Sequence, residues 1–311
     1  MSVKSETIKL VGELEDEFLK KSGTGSQVSI FLCGGAGKHE EELRKAIGTR
    51  IVDLTSKYAY AVHYPEDFFI ELMLGHQKHD LLSLENILAN SVHAVAIILH
   101  SPGTFAELGA FSNHPALSQK LIIVTDPKYR NHRSFINLGP IRFLQTKTRS
   151  KILHIQLNQG NLDNLATSIA EAAREIAKTS SPRHDLTNPL AAYQFFLAVI
   201  NVFDPIPKSA LINLVDSLRP SDGKLIRTVG ETVVNSLINE RKVFYNGIDL
   251  SITSEGRNEL LLSGRTKRRI NERSWFLTKI RLQALNQCLR KYHRSIWEGQ
   301  LSLAEPVERR V

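Results

Sequence analysis

The segment from Val92 to Phe111 constrains the fold of this chain more than any other. It opens with a short run rich in valine and isoleucine, Val92 to Leu99. This run is far shorter than the roughly 20 residues of a membrane span and suits a strand buried on both faces of a parallel sheet. Pro102 and Gly103 end the strand, and a helix carrying Glu107 follows. Because open α/β sheets bind ligands outside the carboxyl ends of their strands, the segment places Glu107 beside a ligand site.

Glu107 also has a purely structural interpretation. Thr104 can act as the N-cap of the helix, in which case Glu107 is the third helical residue and bonds back to the cap in a capping box. The segment alone leaves the capping and catalytic interpretations equally open. Acids and glycines elsewhere in the chain favour the catalytic one.

The length and composition predict a two-domain globular protein. The chain has 311 residues, which exceeds what one domain usually needs. No apolar run is long enough to cross a bilayer, and Met1 to Glu17 lacks the apolar core of a signal peptide, so we expect a cytoplasmic protein with no membrane partner. Cys33 and Cys288 are the only cysteines, which excludes a disulfide framework and a cysteine-based metal site.

The first domain is predicted to span residues 1–178. Short apolar strands alternate with helices along it, which indicates a doubly wound α/β fold with a parallel sheet. The predicted strands are Val28 to Leu32, Tyr58 to His63, Val92 to Leu99, Leu121 to Val124 and Lys151 to Gln156.

Residues 186–263 are predicted to form a second, mainly helical domain after a polar linker. Three helical patterns precede two β-prone runs joined by Asn246 and Gly247, and an Asn-Gly pair is a strong hairpin signal. Helices closed by such a hairpin describe a winged helix-turn-helix. Within this fold the helix from Leu225 to Arg241 is the candidate for entering a DNA groove.

The positive charge lies in the second half of the chain. Residues 179–311 hold 20 Lys plus Arg against 13 Asp plus Glu, a net charge of +7 out of +8 for the whole chain. The basic helical segment predicted over 264–311 contributes most of it, and this footprint suits nucleic acid. A solvated helix face that packs through its apolar residues is the alternative. The candidate nucleic-acid contacts are Arg265, Lys267, Arg268, Arg269 and Arg273.

Two further groups of residues follow predicted strands. Gly34 and Gly35 form a loop where a backbone can approach phosphate or ribose, although the spacing matches neither a P-loop nor a dinucleotide fingerprint. The segment Tyr64 to Asp67 supplies two acids that can bind ribose hydroxyls or begin a helix. His76, His79 and Asp80 have metal-ligand spacing but lie in a polar stretch, so we expect them to be solvated and predict no metal site.

These residues resemble a known family. Phe31 to Gly35 and Ser101 to Gly109 resemble the first-strand loop and the nucleophile motif of nucleoside 2-deoxyribosyltransferase-like proteins. More narrowly, residues 64–67, 81–89 and 133–137 are similar to the effector protein of type II retrons, which joins such a domain to a C-terminal winged helix.

The resemblance implies an enzyme that acts on N-glycosidic bonds. Glu107 would attack the anomeric carbon of a nucleoside or nucleotide, or stabilise positive charge there. NAD is the expected substrate, and no cofactor is expected. Nicotinamide leaves as a neutral base and needs little acid help, so a site with few acid groups is chemically reasonable for this reaction. The expected substrate-binding residues are Gly34, Gly35, Tyr64, Glu66, Asp67, Ser101, Gly103, Thr104 and Asn137.

Three positions depart from the transferase pattern. Phe31 replaces a tyrosine, Ser101 replaces an acid, and Ser83 replaces another acid, with Glu85 nearby as a substitute. These departures favour hydrolysis or ribosyl transfer on a nucleotide over exchange of bases between deoxyribosides.

The resemblance also implies partners. The expected partners are a retron reverse transcriptase, its RNA-linked single-stranded DNA and the attached RNA, together with further copies of the chain in a homo-oligomer. The expected role is that of a toxic effector in anti-phage defence. A nucleotide-sensing winged-helix regulator without catalysis, deoxyribosyl transfer on nucleosides, and a pure assembly role stay open as alternatives.

Overall fold

A computed structural model describes residues 3–21, 27–35, 37–54, 59–65, 87–218, 223–262 and 267–302. The chain divides into a sheet unit, residues 23–190, and a helical unit, residues 1–22 with 191–311.

The first helix belongs to a different unit from the one that the predicted domain boundaries give it. Helix α1, Val3–Glu15, falls within residues 1–178 but lies in the helical unit, because its apolar face with Leu10 and Leu14 is buried there. Residues after 178 extend the sheet unit instead. The backbone N–H of Arg183 donates to the carbonyl oxygen of Asn90 at 2.7 Å, which ties the predicted linker to this unit.

The sheet unit contains a five-stranded parallel sheet, so the predicted α/β class with a parallel sheet is confirmed. The strand order is β2-β1-β3-β4-β5. The chain passes from β1 outward to β2 on one side and then returns to β3 on the other side. The gap between β1 and β3 is therefore the topological switch point of the sheet. The strands are β1 Gln27–Cys33, β2 Ala59–His63, β3 Ala94–Ile98, β4 Leu121–Thr125 and β5 Lys151–His154.

Helices cover both faces of this sheet because successive strand residues point to opposite sides. Ile30 and Leu32 belong to a core that includes helices α2 and α5, whereas Phe31 and Cys33 belong to the core on the other face, with Leu108 of helix α3. The continuous apolar character of β3 and β4 follows from this two-sided burial. The helices are α2 Lys38–Asp53, α3 Pro102–Asn113, α4 Arg142–Lys147 and α5 Leu162–Ala177.

The helical unit combines helices with a small antiparallel sheet in the order β6-β8-β7. The predicted hairpin at Asn246 and Gly247 is confirmed. Asn246 Oδ1 accepts from the backbone N–H groups of Ile248 at 2.9 Å and Asp249 at 2.7 Å, and Gly247 adopts a φ of +100°. The remaining elements are α6 Pro189–Val202, β6 Ile206–Pro207, α7 Lys208–Leu218, α8 Gly223–Asn239, β7 Val243–Tyr245, β8 Asp249–Ile252, α9 Ser254–Leu262 and α10 Lys267–Ser302.

The described residues contain neither a membrane-spanning helix nor a cluster of metal ligands. No helix there combines the length and apolarity that crossing a bilayer requires. The same part of the chain holds no cluster of three or more His, Cys, Asp or Glu side chains arranged for a metal ion. His76, His79 and Asp80 lie outside the described residues.

Candidate active site

The candidate site lies at the carboxyl ends of β1 and β3, beside the switch point of the sheet. Gly34 and Gly35 follow β1, and His100 and Ser101 follow β3 immediately before helix α3. The two loops belong to adjacent strands, so their side chains meet at one edge of the sheet.

The start of helix α3 differs from the predicted cap. Ser101 is the N-cap, and Thr104 is the third helical residue. The Thr104 hydroxyl accepts from the backbone N–H groups of His100 at 3.3 Å and Ser101 at 3.2 Å, and it donates to the Ser101 carbonyl at 2.7 Å. The expectation that Thr104 is the N-cap and Glu107 completes a capping box was therefore wrong. Pro102 at the first helical position explains the earlier start, since its fixed φ suits that place.

We expect Thr104→Val to destabilise the sheet unit without affecting substrate affinity directly. Thr104 is buried, and a valine of the same shape removes the hydroxyl that serves two backbone donors. Losing such bonds costs about 1–3 kcal/mol. Urea unfolding measures this change, and Thr104→Ser, which keeps the hydroxyl, should restore most of it. A raised KM with unchanged stability would assign Thr104 to the substrate instead.

Glu107 lies two turns into α3 and has no capping role. Its Oε2 atom is buried and has no hydrogen-bond partner among the described residues. Burial raises the pKa of the Glu107 carboxyl to about 7, and the positive charge of Arg44 opposes that rise. Buried polar atoms are nearly always bonded, so an oxygen left without a partner in this position indicates a functional group.

Arg44 is a site residue that the sequence analysis missed. It projects inward from helix α2, is almost fully buried, and its guanidinium carbon lies 5.5 Å from the centroid of the Tyr64 ring. A β-carbon added at Gly34 would lie 3.0 Å from Arg44 Cδ, so the glycine makes room for this side chain. The helical spacing of Arg44 with Ile47 and Ile51 was the available signal, because it places all three on one buried face.

His100 joins the two loops and was also missed. Its Nδ1 lies 2.8 Å from the carbonyl oxygen of Ile98, and its Nε2 accepts from the backbone N–H of Gly35 at 3.2 Å. Since a carbonyl only accepts and an N–H only donates, these two contacts fit the imidazole tautomer that carries a proton on Nδ1. His100 is therefore a positioning residue. Its position directly after a predicted buried strand could have identified His100 as a site residue from the sequence.

The structure brings part of the predicted site together. Gly34, Gly35 and Tyr64 adjoin Arg44 or His100, and Ser101 and Thr104 form the start of the Glu107 helix. Glu66 and Asp67 lie outside the described residues, as do Ser83 and Glu85.

Gly103 and Asn137, which were also predicted to bind substrate, have different contacts from the residues above. A β-carbon at Gly103 would meet no atom within 4 Å, so this glycine lies open at the start of α3. Asn137 follows β4, and its side-chain nitrogen donates to the carbonyl oxygens of Tyr129 and His132, both at 2.7 Å. The amide hydrogens of Asn137 thus hold the loop after β4, while its role toward a substrate stays a prediction.

The predicted nucleic-acid contacts of α10 differ in how exposed their side chains are. Arg268 is exposed and pairs with Glu272 at 2.8 Å, and Arg269 is exposed as well. Arg273 instead donates to the carbonyl oxygen of Leu260 at 3.2 Å, and burial lowers its pKa. Arg265 lies outside the described residues, as does the side chain of Lys267. A role in binding nucleic acid stays a prediction for all of them.

Comparison with known proteins gives consistent matches. The family model described as STM3845 retron effector protein matches residues 40–242, a range that includes Arg44, His100, Glu107 and residues 191–242 of the helical unit. The "Retron Ec86 putative ribosyltransferase/DNA-binding protein" of Escherichia coli is 32% identical over 260 residues, which cover 79% of this chain and 83% of that protein. The corresponding retron Ec73 protein of Escherichia coli is 31% identical over 137 residues, covering 42% of this chain and 43% of that protein.

The family match spans well over half of the chain, and the Ec86 relative aligns with most of both sequences. The chain therefore belongs to the retron effector family.

Proposed function

We propose that this chain is the toxic effector of a retron anti-phage system and that its sheet unit cleaves the N-glycosidic bond of a nucleotide, with NAD as the first choice. The observation that carries the proposal is Glu107, whose buried oxygen lacks a hydrogen-bond partner among the described residues at the switch point of the sheet. The names of the two Escherichia coli relatives support a ribosyltransferase.

The chemistry uses the carboxylate of Glu107 at the anomeric carbon. The C1′–N bond breaks and its electron pair moves to the nicotinamide nitrogen, which leaves as a neutral base. Positive charge then develops at C1′, and the Glu107 carboxylate forms an ester bond to this carbon or stabilises the cation. Water attacks C1′, displaces the Glu107 carboxylate where an ester has formed, and loses a proton, so NAD and water yield ADP-ribose, nicotinamide and a proton.

Burial of Glu107 favours this reaction. The carboxylate is destabilised in the resting site, as its pKa of about 7 reflects. The cationic substrate stabilises the ionised form. As the C1′–N bond breaks, the positive charge moves from the nicotinamide ring to C1′, next to the carboxylate, so the interaction strengthens as the reaction proceeds. His100 contributes by holding the β1 and β3 loops together, not by transferring a proton, because Gly35 occupies its free nitrogen.

A nucleotide suits the site better than a nucleoside. Helix α3 begins at this edge of the sheet with no acidic residue in its first turn, and helix N-termini attract phosphate through their free N–H groups. Arg44 adds a positive charge beside Gly34. These groups lie where the phosphates of a dinucleotide would be held while its ribose faces Glu107.

Nucleotide pools of expressing cells test this function. Mass spectrometry should find loss of NAD and free nicotinamide with the wild-type chain, and intact NAD with Glu107→Gln. Glu171→Gln, which removes an exposed acid from α5, is the matched control and should behave like wild type. Altered nucleosides beside intact NAD would favour deoxyribosyl transfer, and unchanged pools would exclude the glycosidase and favour a nucleotide-sensing regulator.

We propose that the helical unit is a winged helix-turn-helix that binds DNA through α10 more than through α8. Helices α7 and α8 precede the hairpin β7–β8, as the winged helix requires. On α8, Arg227 lies 3.4 Å from Glu231, so these two charges offset each other. The strongly basic α10 follows. The relatives' names include DNA binding.

The proposed partners are a reverse transcriptase and its RNA-linked DNA, which restrain the effector until infection. Phosphate contacts make such binding salt-dependent. Co-purification from low to high salt should therefore retain the complex at low salt and lose it progressively. No nucleic acid or reverse transcriptase at low salt would contradict this partnership. We also propose a homo-oligomer, which light scattering after size-exclusion chromatography measures.

A further inference from the structure

A second positively charged surface lies in the sheet unit, apart from α10. Residues 127–162 contain seven Lys and Arg residues and no Asp or Glu. The sheet unit as a whole has 17 basic and 15 acidic residues, so the rest of it holds 10 basic against 15 acidic residues and is negative. The positive charge of the sheet unit is thus concentrated in one stretch between β4 and α5. Its basic residues are Lys128, Arg130, Arg133, Arg142, Lys147, Arg149 and Lys151.

Exposed aromatic rings alternate with these basic residues. The side chain of Phe135 is 87% exposed, and those of Tyr129 and Phe143 are 47% and 44% exposed. Lys128 Nζ lies 4.8 Å from the centroid of the Tyr129 ring. Three exposed rings within one cationic stretch match how proteins hold unpaired bases and phosphates. We call residues 128–143 the basic aromatic surface.

The backbone of the basic aromatic surface is held in place before any partner binds. Asp126 Oδ1 accepts from the backbone N–H of Lys128 at 2.9 Å. The Asn137 amide bonds two carbonyl oxygens across the loop, at Tyr129 and His132. A preorganised loop loses little entropy on binding, so its exposed rings can contribute most of their stacking energy.

We propose that the basic aromatic surface binds single-stranded DNA, with Phe135 and Tyr129 stacking on bases and Arg130 and Arg133 contacting phosphates. Duplex DNA fits poorly, since its bases are not free to stack on rings. A second copy of this chain fits poorly as well, because a twofold contact would place like charges against each other. DNA is chosen over RNA because the relatives are named DNA-binding proteins.

Fluorescence anisotropy with a labelled 20-nucleotide oligo(dT) tests the proposal on the full-length chain. An Arg268→Gln/Arg269→Gln background reduces binding through α10. In that background we expect Phe135→Ala to weaken binding at least about fivefold. We expect Arg130→Gln/Arg133→Gln to reduce the slope of log K against log salt by about 1.4, or about 0.7 per lost phosphate contact.

The matched control is Lys45→Gln/Lys178→Gln. It also removes two exposed positive charges from the sheet unit, but each of these lysines already pairs with a neighbouring glutamate. The control should change neither the affinity nor the salt slope by more than a small fraction of the effects above. Equal losses in the control and the arginine variant would mean that overall charge, and not this surface, governs binding.

Photocrosslinking to oligo(dU) bearing 5-iodouracil locates the contact. We expect crosslinked peptides that contain Tyr129 or Phe135. Crosslinks confined to 264–297, an equal effect of Phe135→Ala on the binding of duplex DNA, or tighter binding of RNA with the same sequence would overturn the proposal. Conversion of an oligomer to monomers by Phe135→Ala would also overturn it, since the surface would then be a subunit interface. None of these results depends on glycosidase activity.

Discussion

Glu107→Gln is expected to make the protein more stable above neutral pH while it removes activity. The carboxyl has a pKa of about 7 in the folded protein against 4.5 as its ordinary value, with burial as the main cause. The folded state therefore binds the proton more tightly than the unfolded state does. Stability is lost as the pH rises from 4.5 to 7, and the loss is at most ~3 kcal/mol above that range.

The glutamine avoids this ionisation cost, so the difference in stability between Glu107→Gln and wild type should grow as the pH rises. We expect a gain of about 1–2 kcal/mol for Glu107→Gln at pH 8, shrinking toward pH 4.5, because a buried amide still lacks a partner. Urea unfolding of the sheet unit at several pH values measures the difference. Glu171→Gln, on an exposed face, should show no such trend. A Glu107→Gln protein that is less stable than wild type at pH 8 would contradict the burial argument.

Arg44→Gln is expected to lower activity at pH 7 by about tenfold or more, with partial recovery at pH 9. The guanidinium holds the pKa of Glu107 below the value that burial alone would produce. Without that charge the pKa rises further, and less of the reactive carboxylate exists at neutral pH. Raising the pH restores the ionised form, so the acid limb of the pH–rate profile should move upward.

Two further variants separate this electrostatic role from folding. Arg44→Lys keeps a positive charge and should retain the wild-type position of the acid limb. Arg50→Gln removes a charge from the same helix, but Arg50 is partly exposed and pairs with Asp163 at 2.8 Å, so the profile should stay unchanged. An Arg44→Gln enzyme with a lower rate and an unshifted profile would leave Arg44 as a packing residue only.

The sheet and the hairpin could be predicted because their signals are local. Short β-branched runs such as Val92 to Leu99 identify buried strands, and the Asn246-Gly247 pair identifies a tight turn without knowledge of the rest of the fold. Glu107 could be placed near the sheet edge for the same reason. Its position depends only on where one strand ends and one helix begins.

The other parts of the site depend on packing between distant segments. Arg44 becomes a site residue because α2 turns its buried face toward Tyr64 and Gly34, and a single sequence does not reveal which cation points inward. Arg273 shows the opposite case, since a residue predicted on a charged surface bonds to Leu260 in the interior of the helical unit. The N-cap is Ser101 and not the predicted Thr104, because Pro102 fits the first helical position.

Release of nicotinamide by the purified protein tests the central role of Glu107 most directly. NAD labelled in the nicotinamide ring is incubated at pH 8 with wild type, Glu107→Gln and Glu171→Gln, and free nicotinamide is counted. We predict turnover by wild type and Glu171→Gln, and a loss on the order of 10³-fold or more for a folded Glu107→Gln protein. Equal release by wild type and Glu107→Gln would contradict the assignment of Glu107 as the catalytic carboxylate.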